Sequence, residues 1–276
     1  MRFEKWEACG NDFVVVSGSE SDASAWAARA ATWCDRHTGV GADGILLVDP
    51  TVPSMTVVNA DGSYSEMCGN GIRCVVGYLL YHRGPVSPGE DVLLRIRSGA
   101  GWHDVVAQCS TSGEWLVSVD MGTPSFEAGP AHFTGPLRPL EPVMTPVGEG
   151  HVASIGNPHW VFLDADPGVD VGSWGPRLEH DERFLRRTNV EFVTALPDGS
   201  LRVRVWERGV GLTQACGSGA VCVTAVAVAL GRSPRGSAVA VHLPGGTLTC
   251  TAGQDGSVVM KGPARRVFAG EWVAGV

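Results

Sequence analysis

Residues 67–74, MCGNGIRC, and residues 215–222, ACGSGAVC, are nearly the same eight residues written twice. Each copy opens with Cys-Gly-x-Gly and has a second cysteine six positions after the first. The apolar segments that follow predict two helices, over residues 70–83 and 218–230, each ending before a glycine. Because neither helix has a wide charged face, we expect each to lie buried inside a curled sheet.

The repetition extends beyond the two octets. Asn59 and Glu207 each end a predicted strand, nine residues before the first cysteine of their copy. Asn11 in GNDF and Asn157 in GNPH also precede those cysteines at similar distances. Three similarities in register are typical of an internal duplication, so we expect two similar halves.

The composition predicts a globular, strand-rich protein. The chain has 276 residues with 37 glycines and 17 prolines, which separate many short apolar runs. A third helix is expected over Ser24–Arg36, and LPDGS at residues 196–200 predicts a hairpin. The net charge of −8, without a Lys/Arg-rich run, argues against a nucleic-acid or anionic-membrane partner. With no signal-like segment and no apolar run long enough to cross a bilayer, we expect a soluble cytoplasmic protein.

The first cysteine of each octet has the position of a reactive thiol. Cys68 and Cys216 begin helices, where free N–H groups and the helix dipole stabilise a thiolate and are expected to lower its pKa. The flanking glycines would form a nest of N–H groups suited to a carboxylate. Two such thiols suit inversion at the α-carbon of an amino acid, where one removes the hydrogen and the other returns a proton to the opposite face.

The second cysteines, Cys74 and Cys222, are expected to be core residues, because they lie within apolar helices. A metal site is not expected, since the six-residue step matches no common ligand spacing and the chain has no C-x-x-C. A single cysteine at a helix start is more often a packing residue, but two copies with matched flanks favour function.

Five stretches carry a resemblance to a known family: ACGNDFVVV, GVGADG, NADGSYSEMCGNGIRC, GNPHWVF and WERGVGLTQACGSGA. In order and spacing they closely resemble the diaminopimelate epimerases, cofactor-independent enzymes that interconvert LL- and meso-diaminopimelate on the path to lysine and peptidoglycan. The resemblance implies an α+β fold of two pseudo-symmetric domains, each a curved, mostly antiparallel sheet wrapped around a central buried helix. It implies a first domain of residues 1–118 completed by 264–276, and a second domain of residues 119–263. The active site would lie in the cleft between the two domains.

The resemblance also implies roles for individual residues. Cys68 and Cys216 would be the catalytic acid/bases, supported by His159 beside a thiol and by Glu207. The reacting carboxylate would be bound by Gly69, Asn70, Gly217 and Ser218, and Asn11 would lie in the substrate pocket. The distal amino-acid end of the substrate would be bound by Asn59, Asn157, Asn189, Glu207 and Arg208. Within that set, Arg208 would bind the distal carboxylate and Glu207 would lie near the distal ammonium.

Several of these residues also have ordinary structural interpretations. Asn11 could hydrogen-bond its own turn, His159 could be structural, and Glu207-Arg208 could be a surface pair. Two positions depart from the family pattern. Gly44 replaces a frequent glutamine, and Leu212 replaces an acidic residue near Cys216.

Two other functions remain open at this stage. One is a racemase without pyridoxal phosphate that uses the same two thiols on another amino acid. The other is a redox-sensing binding protein in which Cys68 and Cys216 close to a disulfide, a bond we also expect as an inactivating by-product. The expected partner is a small-molecule substrate, with no cofactor or metal, and the sequence leaves a homodimer open.

Overall fold

The computed structural model describes residues 1–273, which form a mixed α+β protein. Its helices are α1 Ala23–Cys34, α2 Gly69–Arg83, α3 Val171–Glu179 and α4 Gly217–Ala229. The strands up to the middle of the chain are β1 Arg2–Ala8, β2 Asn11–Ser17, β3 Gly44–Asp49, β4 Ser54–Asn59, β5 Tyr64–Ser65, β6 Val92–Ser98, β7 Gly101–Cys109 and β8 Trp115–Asp120. The later strands are β9 Val143–Thr145, β10 Gly148–Ser154, β11 Pro158–Phe162, β12 Asn189–Ala195, β13 Leu201–Glu207, β14 Gly211–Leu212, β15 Ala238–Leu243, β16 Gly246–Ala252 and β17 Val258–Glu271.

The chain divides into two compact units. The first comprises Met1–Val119 with the residues from Gly262 onward, and the second comprises Asp120–Lys261. The predicted first domain ended at 118 and resumed at 264, and its residues 274–276 lie outside the described residues. Strand β17 begins in the second unit and continues in the first, where it pairs antiparallel with β1 from Arg2↔Glu271 to Glu7↔Arg265.

Both units repeat one pattern of strand pairing. In the first unit, β1–β2 is antiparallel, β2–β3 parallel, β3–β4 and β4–β5 antiparallel, β4–β6 parallel, and β6–β7 and β7–β8 antiparallel. The second unit has the same sequence of pairings from β10 to β17. The predicted α+β fold, built twice from a mostly antiparallel sheet and a buried helix, is confirmed.

In each unit, the strands carry one helix on each face. Alternate residues of β3 pack in a core with α1, whereas Leu46, between them, lies against α2 at Gly71. Alternate residues of β12 pack in a core with α3, whereas Glu191 lies against α4 at Gly219. The two units therefore place a leucine and a glutamate at equivalent positions below their central helices.

The three predicted helices and the LPDGS hairpin are confirmed, with helix ends shifted by one or two residues. Strand β1, RFEKWEA, was not predicted, because its charged residues mask the alternation of apolar and polar side chains. In the structure, Glu4 and Lys5 are buried and form ion pairs. Helix α3 was not predicted either, since it contains two glycines and Pro176. No helix among the described residues is long and apolar enough to span a membrane.

An ion-pair network fixes the turn that carries Asn11. The carboxylate of Asp12 accepts hydrogen bonds from Arg36 at 2.7 and 3.1 Å and lies 2.6 Å from the buried Lys5 Nζ, and Arg36 also binds Asp43 at 2.7 Å. Burial by itself raises the pKa of Asp12, but the hydrogen bonds from Arg36 and Lys5 outweigh it and lower the pKa to about 2. The network therefore stabilises the fold only while Asp12 is ionised.

We expect Arg36→Gln to lower the free energy of unfolding at pH 7 by about 1 kcal/mol. Because the pKa of Asp12 is lowered in the folded state from 3.8 to about 2, this contribution is present above about pH 4 and is lost as the pH falls through 2. Urea denaturation between pH 7 and pH 2.5 measures it. Arg95→Gln, which breaks the exposed Arg95–Asp104 pair, is the control with a smaller loss. A loss for Arg36→Gln that is constant over this range would contradict the assignment.

Candidate active site

Cys68 is the N-cap of helix α2, and its sulfur accepts a hydrogen bond from the Gly71 N–H at 3.3 Å. The thiol is half-buried, whereas Asn70 in the first turn is buried. A Cβ at Gly71 would lie 3.1 Å from Leu46 and 3.2 Å from the Cβ of Cys68, so this glycine lets the helix start pack closely on the sheet. We call the predicted residues around it, Cys68, Gly69, Asn70, Asn11 and Asn59, the N-terminal cluster.

A buried arginine, which was not among the predicted site residues, connects this cluster. The Arg73 guanidinium donates to Asn70 Oδ1 at 2.9 Å and to the Gly69 carbonyl at 2.8 Å. It also donates to Cys9 Sγ at 3.6 Å, in the turn before Asn11. Arg73 therefore fixes the Asn70 side chain relative to the helix N-terminus and to the Asn11 turn.

Asn11 and Asn59 lie at strand ends in this unit. Asn11 begins β2, after a turn in which Cys9 and Gly10 have φ of 52° and 78°, as a two-residue type I′ hairpin requires. The Asn59 Nδ2 donates to Ser63 Oγ at 2.9 Å, so its amide nitrogen forms a hydrogen bond within its own loop. Gly44 pairs with Asn59 across β3–β4, and a Cβ there would lie 2.8 Å from the Val58 carbonyl. A side chain at position 44 would thus require a shift of β4.

Cys216 is the N-cap of helix α4 and repeats the geometry of Cys68. Its sulfur accepts from the Gly219 N–H at 3.3 Å and lies 3.4 Å from Ser218 Oγ. The thiol is buried, with 5% of its surface exposed. The C-terminal cluster consists of the remaining predicted residues: Cys216, Gly217, Ser218, Asn157, His159, Asn189, Glu207 and Arg208.

The electrostatics at Cys216 correct one expectation. The sequence predicted a lowered pKa, but burial raises the pKa of this thiol well above its ordinary value, and the carboxylates of Glu207 and Glu191 raise it further. Hydrogen bonds from Ser218 and the Gly219 N–H lower the pKa but do not compensate. The helix N-terminus is therefore present as predicted, but burial and two nearby carboxylates outweigh it, and Cys216 holds its proton near neutral pH.

Glu207 lies beside this thiol. Its carboxylate accepts from Thr213 Oγ1 at 2.6 Å. Burial raises the pKa of Glu207, while hydrogen bonds from Thr213 and Cys216 and the charge of His159 oppose the rise. Glu207, at the strand end, thus accepts a hydrogen bond from the Cys216 thiol and is not part of a solvated surface pair.

His159 is completely buried in the same cluster. Its Nδ1 lies 2.7 Å from Glu191 Oε1, and its Nε2 lies 3.1 Å from Asn157 Oδ1. Asn157 in turn donates to Ser218 Oγ at 3.4 Å. The structure therefore connects the predicted residues His159, Asn157, Ser218 and Cys216 in one chain of contacts.

Arg208 follows β13 in a turn held by two buried side chains. Its N–H donates to Asn189 Oδ1 at 3.0 Å, while Asn189 Nδ2 donates to the Pro158 carbonyl at 2.8 Å. On the other side, Glu179 accepts from the Gly209 N–H and from the Trp206 indole, both at 2.8 Å. The Arg208 guanidinium is exposed, makes no ion pair within residues 1–273, and donates to the Arg186 carbonyl at 3.2 Å.

The second cysteines are core residues, as predicted. Cys74 and Cys222 are fully buried, and burial raises the pKa of both thiols well above the ordinary value.

Comparison with known proteins identifies the family of this chain. The sequence profile of the family described as diaminopimelate epimerase matches residues 3–127 and 151–267. The diaminopimelate epimerase of Desulforudis audaxviator is 43% identical over 99% of both chains, and that of Phocaeicola vulgatus is 40% identical over 98% of both. The chain belongs to the diaminopimelate epimerase family.

Solved structures at lower identity share the fold of this family member. A predicted epimerase from Pseudomonas aeruginosa has a TM-score of 0.69 at 17% identity, with 99% of both chains covered. A hydroxyproline epimerase from Agrobacterium vitis has a TM-score of 0.67 at 15% identity, covering 98% of this chain and 90% of its own. At these identities, the likeness concerns the fold alone.

Three buried charged residues around the clusters were not predicted from the sequence of this family member: Arg73, Glu179 and Glu191. Arg73 and Glu191 each stand among apolar residues of a buried element, which is the signal that could have selected them. Glu179 ends an unpredicted helix and gave no such signal. Of the two departures from the family pattern, Leu212 is an apolar side chain that is 61% exposed.

Proposed function

We propose that this chain interconverts LL- and meso-diaminopimelate by proton transfer at the α-carbon, using Cys68 and Cys216 as its two acid/bases. The observation that carries the proposal is the pair of matched N-cap cysteines, one in each unit, both with the sulfur accepting an N–H from the first turn. Family membership supplies the substrate, since the curated relatives carry this activity in their names.

The chemistry follows from the two thiols. A thiolate takes the α-hydrogen, and the negative charge that develops on the substrate carboxylate is stabilised by helix N-terminal N–H groups. A thiol then returns a proton to the opposite face, which inverts the centre. Since Cys216 holds its proton near neutral pH, we assign Cys216 as the initial donor, and Cys68 is then the base. In the reverse direction the roles are exchanged.

The distal end of the substrate distinguishes diaminopimelate from a simple amino acid. We propose that the exposed guanidinium of Arg208 binds the distal carboxylate in a bidentate manner. Asn70, Ser218 and the first-turn N–H groups of both helices would bind the reacting carboxylate, and Asn11, Asn59 and Asn157 would complete the polar contacts. Asn189 would contribute through the Arg208 backbone that it holds.

Exchange of the α-hydrogen in deuterated water tests this proposal. Reduced protein without pyridoxal phosphate is expected to convert LL-diaminopimelate to the meso isomer, with solvent deuterium at the inverted α-carbon. Exchange with a monoamino acid but not with diaminopimelate would instead support a racemase of another substrate. No exchange with any amino acid would contradict the enzyme proposal and leave the redox-sensing binding protein.

Glu179 provides a test of the Arg208 turn. Glu179→Gln replaces an acceptor that binds two N–H donors with a group that can accept with only one atom. We expect KM for diaminopimelate to rise about 10-fold, with a smaller change in kcat, because the turn loses about one charge-assisted hydrogen bond. Steady-state kinetics measure the effect, with the exposed neighbour Glu182→Gln as control. A decrease confined to kcat would contradict a role in substrate binding.

A further inference from the structure

We propose that Glu191 is a positioning residue that sets the proton state of Cys216 through His159, Asn157 and Ser218. The kinetic part of this proposal rests on the proposed function, whereas the thiol chemistry does not. Nothing in the sequence pattern assigned Glu191 a role.

The geometry provides a continuous chain of hydrogen-bonding contacts. It runs from Glu191 Oε1 to His159 Nδ1 over 2.7 Å and from His159 Nε2 to Asn157 Oδ1 over 3.1 Å. It continues from Asn157 Nδ2 to Ser218 Oγ over 3.4 Å and from there to Cys216 Sγ over 3.4 Å. Every step joins side chains of the second unit.

This chain has two self-consistent directions. With Asn157 Oδ1 toward His159, the ring donates from Nε2, Asn157 donates to Ser218, and Ser218 donates to the sulfur, which favours a thiolate. With the Asn157 amide reversed, the Cys216 S–H turns from Glu207 and donates to Ser218, Ser218 donates to Asn157, and Asn157 donates to an unprotonated His159 Nε2. A Glu191 carboxylate that accepts from His159 Nδ1–H leaves Nε2 of a neutral ring unprotonated, which favours the second direction. Glu191 therefore favours the state in which Cys216 keeps its proton.

The burial of the Glu191 carboxylate is energetically unfavourable. The side chain is completely buried, and its Oε2 has no hydrogen-bond partner among the described residues. A Cβ at Gly219 would lie 2.8 Å from its Oε1, so the carboxylate is packed directly below the helix that Cys216 caps. The equivalent position in the first unit is Leu46, which shows that this fold accepts an apolar side chain there.

The titratable groups around the thiol support the assignment. Glu207 and Glu191 both raise the pKa of Cys216, and His159 acts on the pKa of Glu207. Glu207 comes from β13, Glu191 from β12 and His159 from β11. Removing the Glu191 charge should therefore lower the pKa of Cys216, so that its thiolate forms at a lower pH.

The test is the pH dependence of thiol alkylation in full-length protein. Iodoacetamide labelling of Cys216 is followed by peptide mass spectrometry from pH 6 to 11, and Cys68 in the same samples is the internal control. In Glu191→Gln and Glu191→Leu, we expect the midpoint for Cys216 to fall by about one pH unit and that for Cys68 to stay unchanged. An unchanged Cys216 midpoint in both folded variants would overturn the proposal.

A double-mutant cycle separates the chain of contacts from a charge acting through space. In the Ser218→Ala background, which breaks the last contact, we expect the shift caused by Glu191→Gln to fall to about half or less. Equal shifts in both backgrounds would overturn transmission through Ser218. Circular dichroism and thermal melting are used to check that each variant is folded. Because the equivalent position in the first unit is Leu46, we expect Glu191→Leu to be the variant that the fold accommodates most readily.

The kcat–pH profile is a further measurement, which a purely structural role of Glu191 would leave unshifted. We expect kcat to fall about 10-fold in Glu191→Gln, which can still hold the His159 ring, and about 100-fold in Glu191→Leu, which cannot. The kcat–pH profile of both is expected to shift in the same direction as the Cys216 midpoint, and unshifted profiles would contradict the proposal. If the parent protein turns over no diaminopimelate, the proposed function fails, while the alkylation result still decides the role of Glu191.

Discussion

Cys68→Ser and Cys216→Ser should each reduce kcat for diaminopimelate by about 1000-fold or more, in both directions of the reaction. A hydroxyl is a far weaker acid than a thiol, so serine cannot supply a thiolate-like base near neutral pH. The fold should be retained, because both cysteines are helix N-caps and serine is among the best residues at that position. Steady-state rates from each isomer and a thermal melt measure the two effects.

The second cysteine of each octet provides the matched control. Cys74→Ala and Cys222→Ala remove a thiol six residues after Cys68 and Cys216, within the same helices. We expect them to lower stability modestly and to leave kcat within a factor of about three. If one N-cap serine variant retains more than about a tenth of the activity, the reaction does not need both thiols.

Arg208→Ala should lower kcat/KM for diaminopimelate about 100-fold, mostly through KM, because hydrogen bonds between charged groups contribute about 1.5–3 kcal/mol. Arg208→Lys should recover part of the loss, since it keeps the charge but not the two-pronged geometry. The reactivity of Cys216 toward iodoacetamide should stay unchanged in both. Arg202→Ala, on the exposed side of β13, is the control. An unchanged KM in Arg208→Ala would exclude Arg208 as the distal carboxylate ligand.

The parts of this protein that could be predicted from sequence depend on local patterns. Both central helices follow from an N-cap cysteine, a glycine-rich first turn, an apolar run and a terminal glycine, all close in the chain. The duplication followed from matched spacings, and the structure extends it to seven equivalent strand pairings in each unit.

The electrostatics could not be predicted, because the groups that determine them are far apart in sequence. Glu191 meets His159 across 32 residues, and Glu179 meets Gly209 across 30. The raised pKa of Cys216 arises from burial and from carboxylates on other strands, which a helix-dipole argument from one segment does not include. Asn189 shows the same limit, since its partner atoms are the Arg208 N–H and the Pro158 carbonyl.

The two units also differ where an exact duplication would not. Leu46 lies beneath the Cys68 helix, which itself contains the buried Arg73. Beneath the Cys216 helix lie Glu191 and its partner His159. The first cluster therefore has a fixed positive charge near its helix start, and the second has carboxylates near its thiol. We interpret this asymmetry as one reason why Cys216 holds its proton before substrate binds.

The most direct test of the central claim, two acid/bases on two faces of one carbon, is the fate of the label early in the reaction in deuterated water. Starting from LL-diaminopimelate, we expect the meso product to contain one solvent deuterium at the inverted centre, while the remaining LL substrate is still unlabelled. The same result is expected from the meso isomer. Product that keeps the original hydrogen, or substrate labelled as fast as product, would show one base acting on both faces and would contradict the account.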